Sequence, residues 1–420
     1  MKSQVLSLAL ASSAVRGVLA TVSYDGAKAI RIPVGEDVIP VMKIIDQLQL
    51  PVWKGVGADG VPKANSNVDL VVPAEKAEEF GSMINGINIE VMHEDLGASI
   101  AEESSAADVS AEAVNLGTWF NAYHPYADHL QFLTTLQSMY PSNSEIVTSG
   151  ASVAGRAITG LHFYGAAKGK PAVVLHGTVH AREWISTMTV EYVIYNLLSN
   201  YTTNTEIKGF LDKYDFFVFP VVNPDGFVYT QTNDRLWRKN RQTAPNSNCL
   251  GRDVNRNWNY RWDGAGSSTN PCDETFKGSQ PSDSPENQGL SAFLNNIQAT
   301  QGVQLYMDIH SYSQLFMTPY GYSCTARVST ANANLATGAA RAIEAVYGTD
   351  YIAGPLCGTL YQVAGGSIDY AQDVTKAKYV FTIELRDTGN YGFVLPPAQI
   401  RPTVLETWQG FRYLFTNMVL

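Results

Sequence analysis

Residues 170–184 read KPAVVLHGTVHAREW. The stretch 170–176 is short and apolar without polar alternation, which predicts a strand buried on both faces. A glycine follows it, and from 183 to 200 the apolar residues recur at helical spacing. Strand, tight turn and helix in that order form half of a βαβ unit. Three further stretches share the strand character: 214–222, 303–310 and 378–385. The first of these, 214–222, runs into Asn223-Pro224-Asp225-Gly226, which reads as a turn. A closing helix is expected over 399–420. The alternation predicts an α/β domain, a mixed sheet flanked by helices on both faces.

Three of the strands end at, or shortly before, a side chain able to do chemistry: His180, His310 and Glu384. In open α/β sheets, sites form beyond the C-terminal ends of strands. His180 and Glu183, three apart at the start of a helix, reach one point. A catalytic zinc takes three protein ligands and keeps one position open. His310, 127 residues after Glu183, would complete such a set. H-x-x-E alone reads equally as a capped helix start with an acidic residue near the positive helix end. His176 is a rival ligand, but its place at the end of an apolar run marks it as a packed core histidine.

The 420 residues, 45% hydrophobic and 16% charged, suffice for a large core and a second, smaller domain. Residues 1–20 read as a secretory signal: Lys2, a short apolar run, and Val18-Leu19-Ala20 before a cut, with Arg16 suggesting a cut a few residues earlier. That run is too short to span a bilayer, and no later stretch is long enough. A secreted, extracellular protein follows. Residues 21–95 mix helical spacing (37–48, 73–84) with strands (68–72, 87–92), enough for a small α+β domain. Residues 96–116 are rich in Ala, Ser and Glu and read as an exposed linker, some of it compatible with helix. The net charge of −10 belongs almost wholly to 21–112, which alone carries −10, against −2 for 113–420. No basic patch for nucleic acid exists, and a monomer is the default. Four cysteines and no C-x-x-C suit an oxidising compartment. Sequence order favours Cys249–Cys272 and Cys324–Cys357, one of three pairings. Asn200-Tyr201-Thr202 is the one N-glycosylation triplet.

Six motifs stand in the order and spacing of one family. HAREW at 180–184, LWRKNR at 236–241, DVNRNW at 253–258, DIHSYSQ at 308–314, YQVAGGSID at 361–369 and FTIELRDTG at 381–389 resemble the zinc carboxypeptidases of the A/B type. The likeness is strong over 117–420 and weaker over 21–95, which is similar to the family's prodomain. It implies the carboxypeptidase fold with an eight-stranded type of mixed sheet, one zinc ion per chain, and peptide and protein C-termini as substrates. The ligands it implies are His180, Glu183 and His310, a set that general accounts of zinc sites already give for carboxypeptidase A. Asp253 is implied as the carboxylate orienting His180. Glu384 matches the general base that takes a proton from the attacking water. Read alone, it would pair with Arg386, two residues on and on the same face. Arg238 matches the arginine that stabilises the oxyanion, and Arg235 an outer subsite. Arg256, Asn255 and Tyr361 match the groups for the terminal carboxylate, with Tyr361 on a glycine-rich loop that closes. Ser311 and Tyr312 are further substrate contacts by the same likeness.

The resemblance places Ile368 at the bottom of the specificity pocket, where relatives acting on basic residues carry Asp. A cation buried against Ile would stay unpaired, so an apolar C-terminal residue is expected. Leu356, Leu360, Val363, Met317 and Thr382 would line that pocket. Asp369 is adjacent, and a register slip of one would invert the expectation. One departure concerns activation, since no Lys or Arg occurs from 94 to 119. The activating protease is therefore not trypsin-like, and a cut is expected within 100–117. Two rival readings remain at this stage: an inactive relative that only holds peptide C-termini, and an enzyme of basic or acidic specificity.

Overall fold

The computed structural model describes residues 21–105 and 114–420. The expected leader 1–20 and residues 106–113 of the expected linker lie outside the described residues.

The N-terminal unit builds a four-stranded antiparallel sheet from β1 (Lys28–Val34), β2 (Val52–Lys54), β3 (Ser66–Val72) and β4 (Glu90–His93), ordered β2-β3-β1-β4. Strand alternation divides its side chains. Ile30, Ile32, Val34, Val68, Leu70 and Val72 pack under the helices Ile39–Leu48 and Ala77–Met83. Ala29, Val71 and Trp53 face the opposite way, into a cluster shared with Leu236, Tyr312, Phe393 and Val394. The small domain is therefore apolar on both sides and uses the second side to seat itself on the larger one. β1 and β2 escape the sequence reading; β2 has three residues, too few to show a period.

The segment expected as a linker, part of it compatible with helix, begins with the helix Leu96–Ser105. Leu96 is buried, Ile100 packs one turn on, and Glu103 is 1% exposed. Its high Ala, Ser and Glu content hid two apolar anchors at helical spacing.

The large domain holds β5 (Ser144–Ala151), β6 (Ala157–Phe163), β7 (Ala172–Gly177), β8 (Asp215–Phe219), β9 (Val303–Ser311), β10 (Leu315–Thr318), β11 (Ile352–Pro355) and β12 (Tyr379–Leu385). They form one mixed sheet ordered β11-β10-β12-β9-β7-β8-β6-β5, with β12, β9, β7 and β8 parallel. The helices Trp184–Asn200, Thr330–Tyr347 and Ile400–Asn417 cover one face, against Val173, Leu175, Leu305, Met307, Ile309, Phe381 and Ile383. On the other face Val174, Tyr306 and Val380 pack with the helix Pro285–Thr300 and with Trp258 and Ile368. Each fully buried aliphatic or aromatic side chain contributes roughly 1.5–3 kcal/mol, so the central strands hold the rim firmly.

Asn223-Pro224-Asp225-Gly226 is not a turn but the start of the helix Pro224–Thr232. Asn223 accepts from the Gly226 amide and Pro224 occupies the first turn, where no amide hydrogen is needed. The same residue types serve turns and helix starts alike. Both disulfides, Cys249–Cys272 and Cys324–Cys357, are formed. Asn200 ends its helix half-buried, its amide donating to the Asn196 carbonyl.

Candidate active site

Along β9, Tyr306, Asp308 and His310 fall on one face of the sheet, as do Val380, Thr382 and Glu384 along β12. Pairing sets Glu384 directly beside His310, Thr382 beside Asp308, and His176 of β7 on the other side of Asp308. On this face the strands begin apolar, in the core, and end polar, at the rim.

β7 ends at Gly177, and the chain then turns so that the Glu183 amide bonds the His180 carbonyl at 3.2 Å. The pair therefore stands in the turn before the helix, which starts at Trp184, not inside it. His180 Nδ1 is 2.7 Å from Glu183 Oε1 and 3.1 Å from His310 Nδ1, which is 3.0 Å from Glu183 Oε2. All three side chains are buried, and their donor atoms lie within 4.8 Å of one another. Two imidazole nitrogens and one carboxylate in that space are a zinc donor set. Burial opposes the Glu183 charge, yet His180 and His310 hold its carboxyl below the usual range.

Asp253 Oδ1 lies 3.2 Å from His180 Nε2 and accepts the Asn255 amide at 2.9 Å. Its Oδ2 accepts from Arg238 at 2.8 Å. Burial opposes its charge, but Arg238, His180 and Arg256 hold it well below its ordinary value. Arg238 also comes within 3.9 Å of Glu183. Glu384 binds neither this cluster nor Arg386, which pairs with Glu406 instead. Burial first, with the Glu183 charge adding, pushes Glu384 up to about 7, while His310, Lys54 and Arg238 act the other way.

Asn255 connects several parts. Its side-chain Oδ1 accepts the Ser367 amide at 2.8 Å, and its Nδ2 lies 3.3 Å from His310 Nε2. Arg256 is buried and fixed by the Gly266 carbonyl at 2.8 Å. The Ser311 amide points at Glu183 Oε2, 3.2 Å away. Tyr361 lines a cleft of about 690 Å³ with Arg182, Arg238, Glu274 and residues 52–60 of the small domain. Ile368 is 3% exposed within an apolar cluster that includes Met317, Leu356 and Val363, with Leu360 against it. Asp369 turns elsewhere, accepting the Gly321 amide at 2.9 Å and the Tyr322 amide at 2.8 Å. Burial pushes it up to about 7.

Other residues of the expected site are engaged by the small domain and the helix that follows it. Arg235 Nε and Nη2 bond Glu103 at 2.6 and 2.8 Å. The Tyr312 hydroxyl donates to Asp69 at 2.6 Å, while Arg31 grips the same carboxylate at 2.6 and 2.7 Å. Lys54 bonds Ser313 and lies 5.3 Å from the Tyr312 ring centroid. The sequence reading missed Lys54, Glu103 and Asp308. Only Asp308 carried a signal, two residues before His310 and so on its side of the strand.

A mixed α/β sheet whose rim presents two imidazoles and a carboxylate around one point, beside an unligated half-buried acid, defines a metal-dependent hydrolase. Residues 129–410 match the family model described as zinc carboxypeptidase, and residues 37–103 match the carboxypeptidase activation peptide. Metallocarboxypeptidase A of Trichophyton rubrum is 48% identical over 413 residues, 97% of each chain. The crystal structure of thrombin activatable fibrinolysis inhibitor superposes with a TM-score of 0.86 at 28% identity, covering 94% of this chain and 99% of that one. Carboxypeptidase A of Helicoverpa armigera gives 0.79 at 27% identity, over 93% of this chain and 97% of its own. The chain belongs to the zinc carboxypeptidase family. It is an A-like metallocarboxypeptidase, a peptide hydrolase that uses zinc and carries an activation peptide.

Proposed function

We propose that this chain is secreted as an inactive proenzyme and, once matured, removes single apolar or aromatic residues from peptide C-termini as a monomer. The division follows the sequence reading: leader 1–20, prodomain 21–95, connecting segment 96–116, and catalytic domain 117–420. His180, Glu183 and His310 would hold the zinc, which when bound would supply Lewis acidity towards the scissile carbonyl and towards water. Glu384 accepts a proton from the attacking water and returns it to the leaving amine as the C–N bond breaks. A carboxyl raised towards neutrality suits both transfers. Arg238, fixed by Asp253, meets the charge that develops on the carbonyl oxygen. Arg256, Asn255 and Tyr361 take the terminal carboxylate, so only the last residue fits. Ser311, Tyr312 and Arg235 serve the residues upstream.

The observation that carries the specificity is Ile368 buried among Met317, Leu356 and Val363 while Asp369 is occupied by two backbone amides. A lysine side chain there would lose its hydration with no carboxylate in exchange. Latency is supported by three prodomain-side groups, Lys54, Asp69 and Glu103, bonded to Ser313, Tyr312 and Arg235 of the large domain. Maturation is assigned to a protease that does not need Lys or Arg, cutting within 100–117, a stretch without either residue. The test is release of C-terminal Phe, Leu, Lys and Glu from matched peptides, with and without a chelator. Phe and Leu should dominate and the chelator should stop both. Preferential release of Lys would overturn the specificity.

A further inference from the structure

The second imidazole of the metal site has a carboxylate of its own. His310 turns Nδ1 towards His180 and Glu183, at 3.1 and 3.0 Å, and Nε2 towards Asp308 Oδ1, at 2.9 Å. Asp308 is fully buried. Its Oδ2 accepts from the Ser367 hydroxyl at 2.5 Å. Its Oδ1 lies between two ring edges, His310 on one side and His176 Nδ1 at 3.3 Å on the other, yet accepts no well-directed hydrogen bond. A buried carboxylate oxygen left so is costly. It needs a strong donor, and the Nε2–H edge it faces would be polarised towards that role if Nδ1 were given to a metal.

We propose that Asp308 is the positioning residue for His310, fixing the ring with Nδ1 towards the metal and raising its basicity. The inference rests on His180, Glu183 and His310 being the metal ligands. Asp253 stands in the same relation to His180, but its charge is divided with Arg238 and Arg256. Among the described residues no lysine or arginine pairs with Asp308, so its charge falls on the two imidazoles. The strand geometry provides the arrangement without a loop. Tyr306, Asp308 and His310 share a face of β9, and β7 sets His176 beside Asp308. The Tyr306 hydroxyl, 2.6 Å from His176 Nε2, fixes that ring in turn. His176, a core histidine by the sequence reading, thus buttresses the carboxylate. Ser367 precedes Ile368 and bonds Asn255 through its amide, so the same carboxylate ties the specificity segment to the metal ligand.

The experiment is chelator competition for zinc, and the visible spectrum of the cobalt-substituted protein, on the full chain. D308N keeps the shape and removes the charge; S367A removes only the hydroxyl that holds Oδ2. D308N should weaken metal binding about 10- to 100-fold and move the cobalt bands. S367A should shift both in the same direction by less. H310A is the control. If it keeps wild-type affinity, the ligand assignment fails. If it loses the metal while D308N and S367A bind as wild type with unmoved bands, the role of Asp308 alone is refuted. Should D308N not fold, unchanged affinity and bands in S367A carry the same refutation.

Discussion

Glu103 and Arg235, 132 residues apart in sequence, meet through two bonds of 2.6 and 2.8 Å, with both side chains almost fully buried. Arg235 also lies over the Trp184 ring and donates to the Arg182 and Phe393 carbonyls. The carboxylate comes from the helix Leu96–Ser105 of the connecting segment, and the guanidinium from the large domain. Removing one member leaves the other charged and buried, a cost of about 3–5 kcal/mol. E103A should therefore loosen the helix Leu96–Ser105, lower the denaturation midpoint of the uncut protein, and give it measurable peptidase activity. Denaturant titration and assay of the uncut chain check this. A midpoint equal to that of wild type, with latency intact, would show that the ion pair does not hold the proenzyme closed.

Glu384→Gln removes the proton acceptor while keeping size and polarity. The kcat should fall about 10²- to 10⁴-fold with KM little changed and zinc retained. Burial raises the group above the ordinary 4.5. Since the base works ionised, activity should rise with pH along an acidic limb whose midpoint lies above that value. Steady-state kinetics across pH test it. An E384Q enzyme with wild-type turnover would remove Glu384 from the mechanism.

The candidate site and the large sheet were more legible in the sequence than the small domain was. His180, His310 and Glu384 stood at or just past strand ends, with Glu183 three residues beyond His180, and strand ends are legible because long apolar runs are. The two-residue period then put Glu384 beside His310 through pairing alone. What stayed hidden depends on contacts between distant segments. Nothing local marks Glu103 as buried, since an acidic residue in an Ala- and Ser-rich stretch belongs to solvent unless an arginine 132 positions on comes to meet it. Lys54 is similar: a three-residue edge strand shows no pattern, and its partner Ser313 lies in another domain. Asn223-Pro224-Asp225-Gly226 failed for a different reason, because capping and turning draw on the same residues.

Ile368→Asp should invert the preference. The buried aspartate would supply the missing partner for a C-terminal lysine and would itself be desolvated against Met317, Leu356 and Val363. Release of Phe and Leu should fall by about two orders of magnitude or more, since an unpaired buried charge costs several kcal/mol. Release of Lys and Arg should rise. Comparing kcat/KM for peptides that differ only in the last residue decides it. A variant that still prefers Phe would place the bottom of the pocket elsewhere.

The seating of the prodomain should weaken in acid through His93. This residue, at the end of β4, is 6% exposed and bridges the domains. Its Nε2 meets the Tyr391 carbonyl at 2.8 Å, its Nδ1 the Ser99 hydroxyl at 2.9 Å, and Trp53 packs edge-on against its ring. Burial lowers its pKa below the ordinary 6.5, although the Tyr391 carbonyl and Asp387 act the other way. A histidine depressed in the docked state contributes stability above its free value and loses it as pH falls through the lowered one. Activity of the uncut chain, taken relative to that of the matured enzyme at the same pH, should therefore rise reversibly as the buffer is taken below about 6.5 and returned. H93Q keeps a neutral donor at every pH, so it should flatten that dependence without abolishing latency at neutral pH. Reversible Trp53 fluorescence changes, followed in parallel with activity, would tie the response to undocking. An identical pH response in H93Q would assign it to another group.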